Sequence, residues 1–468
     1  MEKKFSDASY ESLIQKLFCR FPSFQKVGAG AYKPGIANME FADQLMGHPH
    51  RKYKVVHVAG TNGKGSVSNM LASVLASSGL KVGLYTSPHI LDFRERMRVC
   101  TCCHPGGSEG SFSLISKQYV WDFVRQWKDT FDHLDMSFFE ITTLMALSWF
   151  ADQQVDVVVL ETGLGGRLDS TNIVSPVLSV ITNIGLDHCD LLGETLPEVA
   201  FEKAGIIKPK VPVVVGESNP ETDAVFERKV LYTNLSEPEY MGNRPTIMSL
   251  LTFADKVEPS LWSEHEEILS KMDLQGSYQR KNLRTVLAVL DVLSSGVVSS
   301  ESGAETKDAL IHAAHRTGFR GRWERVSDDP VVICDIGHNE HGLKYNFAQL
   351  EKMKSDGVCT DVILVYGSVA DKDVDAVMHL MPEGAVYVFT QAHGKRALAA
   401  SAVRDKYLAF CAESGRSTED VHVTDNVKDA VELARKLAAD LKSSDPCARP
   451  LIYIGGSTYV VSEAVAML

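Results

Sequence analysis

A chain of 468 residues has room for two or three domains, and 44% hydrophobic with 23% charged residues is the make-up of a globular protein with a sizeable core. A formal net charge of −12 argues against a general nucleic-acid binder, which presents a basic face. No apolar run approaches the ~20 residues of a membrane span, the polar N-terminus lacks an apolar signal core, and nine scattered cysteines suit a reducing, cytoplasmic setting.

An apolar strand over 55–59 runs into Gly60-Thr61-Asn62-Gly63-Lys64-Gly65-Ser66. A helix follows over 67–78, with Val67, Met70, Leu71, Val74 and Leu75 on one face and Gly79 as its C-terminal cap. Strand, glycine-rich turn and helix together cradle a nucleotide triphosphate. Glycines let backbone N–H groups approach phosphate oxygens, Lys64 reaches the outer phosphates, and the Ser66 hydroxyl can sit on Mg²⁺. The spacing departs from G-x-x-x-x-G-K-[ST], because the first glycine stands closer and Gly65 separates Lys64 from Ser66. An ordinary glycine-rich βα turn is the other reading of the loop alone.

The next strand, 81–86, ends in Ser87-Pro88-His89. The cluster Cys100-Thr101-Cys102-Cys103-His104 holds soft ligands, but adjacent ligands share one tetrahedral site poorly and no second pair stands at zinc spacing; a solvent-facing turn fits better. Helices are expected over 117–133 and 140–153, and strands over 155–161, 177–183 and 211–216. From 217 to 271 the pattern weakens, with room for a small β excursion. A helix follows Asn282, and 294–306 reads as an exposed loop. From Trp323 a second series begins, with strands over 331–335, 362–366, 385–390 and 451–454 and helices such as 427–439. Strands alternating with helices predict an α/β fold. An N-terminal phosphate-loop nucleotide-binding domain with a mostly parallel sheet is expected over 1–317, and a smaller C-terminal Rossmann-like α/β domain over 318–468.

Ligands of such sheets collect at the C-terminal ends of strands. There the chain places the phosphate loop, Ser87, Glu161, and Asp187-His188. Ser, Glu and His form a candidate donor set for Mg²⁺, which needs few protein ligands beside phosphates and water. A carboxylate after a buried strand is costly unless it holds a metal or is paired, and Arg167 is the alternative partner; for His188 the alternative is a helix cap. Lys203, on a short helix, reads by itself as a solvated or ion-paired lysine. In Cys334-Asp335-Ile336-Gly337-His338-Asn339, Asp335 can accept from a ribose or pair with a cation and His338 can touch phosphate or substrate. A βα turn with capping polar residues is the other reading.

With Leu84-Tyr85-Thr86-Ser87-Pro88-His89, Glu161-Thr162-Gly163-Leu164-Gly165-Gly166-Arg167-Leu168-Asp169-Ser170-Thr171-Asn172, Leu186-Asp187-His188, Glu202-Lys203-Ala204-Gly205-Ile206-Ile207-Lys208, Tyr278-Gln279-Arg280-Lys281-Asn282, Gly321-Arg322-Trp323-Glu324, Asp335-Ile336-Gly337-His338-Asn339, Asp371-Lys372-Asp373 and Gly455-Gly456-Ser457, the chain resembles the folylpolyglutamate synthase and dihydrofolate synthase family of the Mur ligase superfamily. The matches run in order across nearly the whole chain.

The resemblance implies an ATP-dependent ligase that activates a carboxylate as an acyl phosphate and joins it to L-glutamate. Gly60, Thr61, Asn62, Gly63, Lys64, Gly65 and Ser66 would hold ATP; Ser66, Ser87, Glu161, His188 and a carbamylated Lys203 would hold Mg²⁺, with K⁺ as a further candidate cation. Asn282, Arg322 and Asp335 would contact the nucleotide, and His338 would also orient glutamate. Lys64, Lys203 and His338 are the catalytic candidates. A closing C-terminal domain would shield the acyl phosphate from water. The carboxylate substrate would be dihydropteroate, a reduced folate, or both in a bifunctional bacterial-type enzyme. The segment 21–32 with Lys33, and Phe138-Phe139-Glu140, would shape the pterin side. Neither nucleic acid nor membrane is expected as a partner, and the family's usual state is a monomer. A cell-wall Mur ligase, an unrelated phosphate-loop NTPase and a non-catalytic binding protein are the competing readings.

Overall fold

Near-continuous runs of Val, Ile and Leu mark strands covered on both faces. In the computed structural model, which describes residues 5–20, 35–100, 111–238, 243–294, 303–418 and 420–468, such runs build two sheets. The chain divides into two units, one of Met1–Asp273 with Gln279–Phe319 and one of Leu274–Tyr278 with Arg320–Leu468.

The strands of the first unit are β1 (Lys54–Ala59), β2 (Val82–Tyr85), β3 (Met97–Cys100), β4 (Phe112–Leu114), β5 (Val157–Glu161), β6 (Leu178–Ile181), β7 (Val213–Val215) and β8 (Leu251–Phe253). They form one sheet in the order β4-β3-β2-β5-β1-β6-β7-β8. β2, β5, β1, β6, β7 and β8 run parallel, and β3 and β4 close one edge antiparallel. β1 lies between β5 and β6; the chain leaves β1 toward β2 on one side and leaves β6 toward β7 on the other. That is the switch point at which α/β folds place a ligand.

The Lys64–Ser77 helix follows β1 and is buried from Gly65 to Ala76. It packs on the sheet at β1, β2 and β5, while the Gln279–Ser294, Gly303–Ile311 and Ala313–Thr317 helices cover its outer side. This explains its weakly sided apolar pattern: a helix enclosed all round has no polar face. Leu144, Met145, Leu147 and Phe150 of the Phe138–Asp152 helix join Tyr85, Val158 and Leu160 in a second core.

The second unit holds β9 (Glu324–Asp328), β10 (Val331–Cys334), β11 (Asp361–Tyr366), β12 (Val386–Phe389), β13 (Val421–Val423) and β14 (Pro450–Gly455), in the order β13-β12-β11-β14-β10-β9. All neighbours are parallel except β9 with β10. Leu343, Phe347, Leu364, Phe389 and Tyr453 centre its core.

Several elements differ from expectation. The helix after the phosphate loop begins at Lys64, because Gly63 turns the chain at φ +82° and brings Lys64, Gly65 and Ser66 into the first helical turn. The Phe138–Asp152 helix starts before Glu140, which instead forms a reciprocal cap with Ser137. β3, β4, β9 and β13 are additions to the expected strands; all are short and lie at or next to sheet edges, and β4, β9 and β13 are only partly buried, which leaves little pattern to read. Between 217 and 271 the β excursion is β8, accompanied by the Asp223–Asn234, Arg244–Met248 and His265–Lys271 helices. The Gly303–Ile311 helix shortens the expected loop over 294–306, whose residues 295–302 lie outside the described residues, as do residues 21–34, Cys102, Cys103 and His104. Cys100 is buried at the end of β3. Among the described residues no helix is long and apolar enough to cross a membrane.

Candidate active site

The loop after β1 is held by the residues that end β6. Thr61 N donates to Asn183 O at 3.0 Å, Asn62 N to Asn183 Oδ1 at 2.9 Å, and Thr182 Oγ1 to Asn62 O at 2.6 Å. Two glycines are required here. A Cβ on Gly60 would stand 1.8 Å from Thr182 Oγ1, and one on Gly63 would stand 2.3 Å from Asn282 Oδ1. The second contact brings Asn282 to the loop. Asn282 Nδ2 donates to Gln279 Oε1 at 2.8 Å, and Gln279 Nε2 donates to the buried Ser66 Oγ at 3.2 Å. Thr182, Asn183 and Gln279 escaped the sequence reading; the polar residues just after the β6 run were the available signal for the first two.

Lys64 Nζ donates to the carbonyls of Gly60 at 2.9 Å and Thr61 at 3.0 Å. Lys203, at the C-terminal end of the Leu196–Lys203 helix, reaches the same place: its Nζ donates to Gly60 O at 3.0 Å. Lys203 is 3% exposed, so the reading of a solvated lysine does not hold. Burial, and then the charge of Lys64, push its amine down to about 7.

Glu161 ends β5 and is 2% exposed. Its Oε2 accepts from Ser87 N at 3.1 Å and lies 3.8 Å from the Cβ position of Gly65. Arg167, the alternative partner, turns instead to Glu202 at 2.8 Å. Asp169 organises the loop between: its Oδ2 accepts from Gly163 N and Leu164 N, both at 2.9 Å, and its Oδ1 from Thr171 N at 3.0 Å. His188 takes a left-handed conformation at φ 52° and opens the short Cys189–Leu192 helix without a side-chain cap bond.

Among the described residues no three His, Cys, Asp or Glu side chains group to hold a metal by themselves. Mg²⁺ takes hard oxygen donors and completes its shell with water and substrate phosphates. Ser66 Oγ and the buried Glu161 carboxylate flank the loop with such oxygens.

In the second unit Asp335 follows β10 and is buried. Its Oδ2 accepts from Tyr278 Oη at 2.6 Å and Trp323 N at 2.8 Å, and its Oδ1 from Gly337 N and Asn346 Nδ2, both at 2.7 Å. The carboxylate thus anchors the turn that carries His338 and the backbone next to Arg322. Asn339 caps the Glu340–Ser355 helix through Gly342 N at 2.9 Å. His338 Nδ1 donates to Ile336 O at 3.0 Å, which orients the ring.

The Mur ligase, glutamate ligase domain matches residues 321–443. A Bacillus subtilis dihydrofolate synthase/folylpolyglutamate synthase is 35% identical over 353 residues, 73% of this chain and 76% of the relative. The chain belongs to the dihydrofolate synthase/folylpolyglutamate synthase family. Its fold is that of a Mycobacterium tuberculosis folylpolyglutamate synthase complexed with ADP and AMPPCP, at a TM-score of 0.77 and 24% identity over 99% of both chains. An Escherichia coli FolC complexed with DHPP and ADP superposes with a TM-score of 0.74 at 25% identity, covering 98% of this chain and 97% of that one. As a member of this family the protein is an ATP-dependent, amide-bond-forming ligase, and the reading as an unrelated phosphate-loop NTPase falls away.

Proposed function

We propose that the protein adds L-glutamate to dihydropteroate and to reduced folates, using ATP with Mg²⁺. The observation that carries this is the meeting of Lys64 and Lys203 at the Gly60 carbonyl, beside a buried glutamate and a glycine-rich loop.

The acceptor's carboxylate oxygen bonds to the γ-phosphorus as the bond to the β-phosphate oxygen breaks and ADP leaves. The glutamate nitrogen then attacks the acyl carbon, phosphate leaves, and the nitrogen sheds a proton. Lys64 exchanges its two carbonyl partners for phosphate oxygens, and the amides of Gly60 to Ser66 line the same anion. Asn282, held through Gln279 to Ser66, keeps the loop in shape for the nucleotide. Ser66, Ser87, Glu161, His188 and Lys203 would hold Mg²⁺, which supplies positive charge against crowded phosphate oxygens when bound.

Lys203 reaches that role as a carbamate: its buried amine, with a pKa of about 7, is neutral often enough to add CO₂ and become an anionic oxygen donor. K⁺ is a second candidate cation. Residues 1–317 carry the ATP chemistry; 318–468 contribute Arg322, Asp335 and His338, the last orienting glutamate. We assign the enzyme to the cytoplasm, in keeping with buried free cysteines such as Cys334, Cys359 and Cys411, and take it to act as a monomer.

The test is ADP release by the purified protein with Mg²⁺ and ATP, omitting dihydropteroate, tetrahydrofolate or L-glutamate in turn. Release that needs glutamate with either pterin substrate establishes both activities. Release indifferent to all three overturns the assignment.

A further inference from the structure

Behind the phosphate loop lies a buried arginine, Arg98. Arg98 sits on β3, paired with Leu84 of β2, and is 3% exposed. Its Nη1 donates to Asn69 Oδ1 at 3.2 Å and to Thr317 O at 2.9 Å. Asn69 Nδ2 in turn donates to Gly65 O at 2.7 Å. One guanidinium therefore joins the first turn of the Lys64–Ser77 helix to the end of the Ala313–Thr317 helix.

The same two segments touch directly. A Cβ on Gly65 would stand 3.0 Å from Phe319 Cζ, so the Phe319 ring lies against the loop backbone. Phe319 N donates to Ala314 O at 2.9 Å, which fixes the ring's backbone to the helix that Arg98 holds.

Burying a guanidinium costs several kcal/mol, and a packed apolar side chain would fill this core position at lower cost. What the arginine adds is its pair of contacts, to Asn69 on one side and Thr317 on the other. Together they tie Asn69, one helical turn beyond Gly65, to Thr317, two residues before Phe319.

We propose that Arg98, acting through Asn69, is a positioning residue for the triphosphate. It holds the Gly65–Ser66 backbone where its amides meet phosphate oxygens. The proposal rests on the phosphate-loop assignment made above.

The test uses the full-length enzyme in the glutamate-dependent ADP assay, with kcat and KM for ATP measured for Asn69→Ala, Arg98→Met, Arg98→Lys and the double variant Asn69→Ala/Arg98→Lys. The proposal expects KM for ATP to rise about tenfold in Asn69→Ala while KM for glutamate stays put, a size typical of coupling through packed networks. Arg98→Lys should recover part of what Arg98→Met loses, and the double variant should cost less than the product of the single effects. Asn69→Ala leaves Arg98 its Thr317 partner, so it keeps the test open if Arg98→Met fails to fold. Folded Asn69→Ala with wild-type KM for ATP and only a lower melting temperature would make the network structural and overturn the proposal. Wild-type protein that shows no glutamate-dependent ADP release would instead strike the assignment of the site itself, which the variants do not address.

Discussion

Lys64 and Lys203 donate to one oxygen, the Gly60 carbonyl, at 2.9 and 3.0 Å. Burial first, and then repulsion from the Lys64 ammonium, push the Lys203 amine down to about 7. Sequence separation hides this relationship, since the two residues stand on different helices of the sheet's rim.

If Lys203 acts as a carbamate, Lys203→Ala lowers kcat by about 100-fold or more, the scale seen on removing one group that stabilises developing charge. Millimolar acetate or formate should restore part of the activity by filling the vacated space with a carboxylate. Labelled bicarbonate should give the native protein a carbamate carbon signal in NMR that Lys203→Ala lacks. Full activity in the alanine variant, or no such signal, ends the carbamate reading.

Gly63→Ala should weaken ATP binding by about tenfold or more. An L-residue at φ +82° costs about 1–2 kcal/mol, and its Cβ would also displace Asn282 Oδ1 from 2.3 Å. Adding Asn282→Ala relieves the clash but leaves the backbone cost and removes the side chain that Gln279 ties to Ser66, so the double variant stays weak. Titration calorimetry with a non-hydrolysable ATP analogue measures both.

Tyr278→Phe should destabilise the second unit by about 2 kcal/mol, the worth of a hydrogen bond to a buried charge. Asp335→Ala should cost more, because it strands four donors at once: Tyr278 Oη, Trp323 N, Gly337 N and Asn346 Nδ2. Urea denaturation followed by tryptophan fluorescence would show the order; equal midpoints for both variants would contradict it.

His57 lies inside β1, fully buried, with Nε2 against Thr171 Oγ1 at 2.8 Å. Burial pushes it from 6.5 down to about 3. The folded ring therefore stays neutral while the unfolded one takes a proton below its ordinary value, so stability is full above about 6.5 and falls as pH drops toward 3. The slope for one such group is about 1.4 kcal/mol per pH unit. His57→Gln should flatten the loss between pH 6 and 4.5 by about that slope. Identical pH curves for the two proteins would refute it.

The long elements were legible because their residues report burial directly. The run from Val157 to Leu160 is apolar at every step, and the structure covers it on both faces. The Lys117–His133 helix carries a strongly one-sided apolar pattern and appears at its expected bounds. Short edge strands such as β4 and β13 are only partly buried, and the Asp223–Asn234 helix buries just Phe226, Val230 and Asn234, so neither gives a period to read.

By itself the sequence determined the class of chemistry. A glycine-rich turn between an apolar strand and a helix, with Lys64 and Ser66, specifies a phosphate cradle through local geometry, and an ordered series of motifs specifies the family. Only the tertiary structure decided which groups meet. It turned Arg167 to Glu202, left Glu161 to Ser87 N and the loop, drew Lys203 out of water onto Gly60, and set Arg98 behind Asn69. Such pairings depend on which strands lie side by side, and β1 acquires β5 and β6 as neighbours from far along the chain. The ionisation of Lys203 follows from that placement, since desolvation and a neighbouring charge act through space and leave no mark on the local sequence.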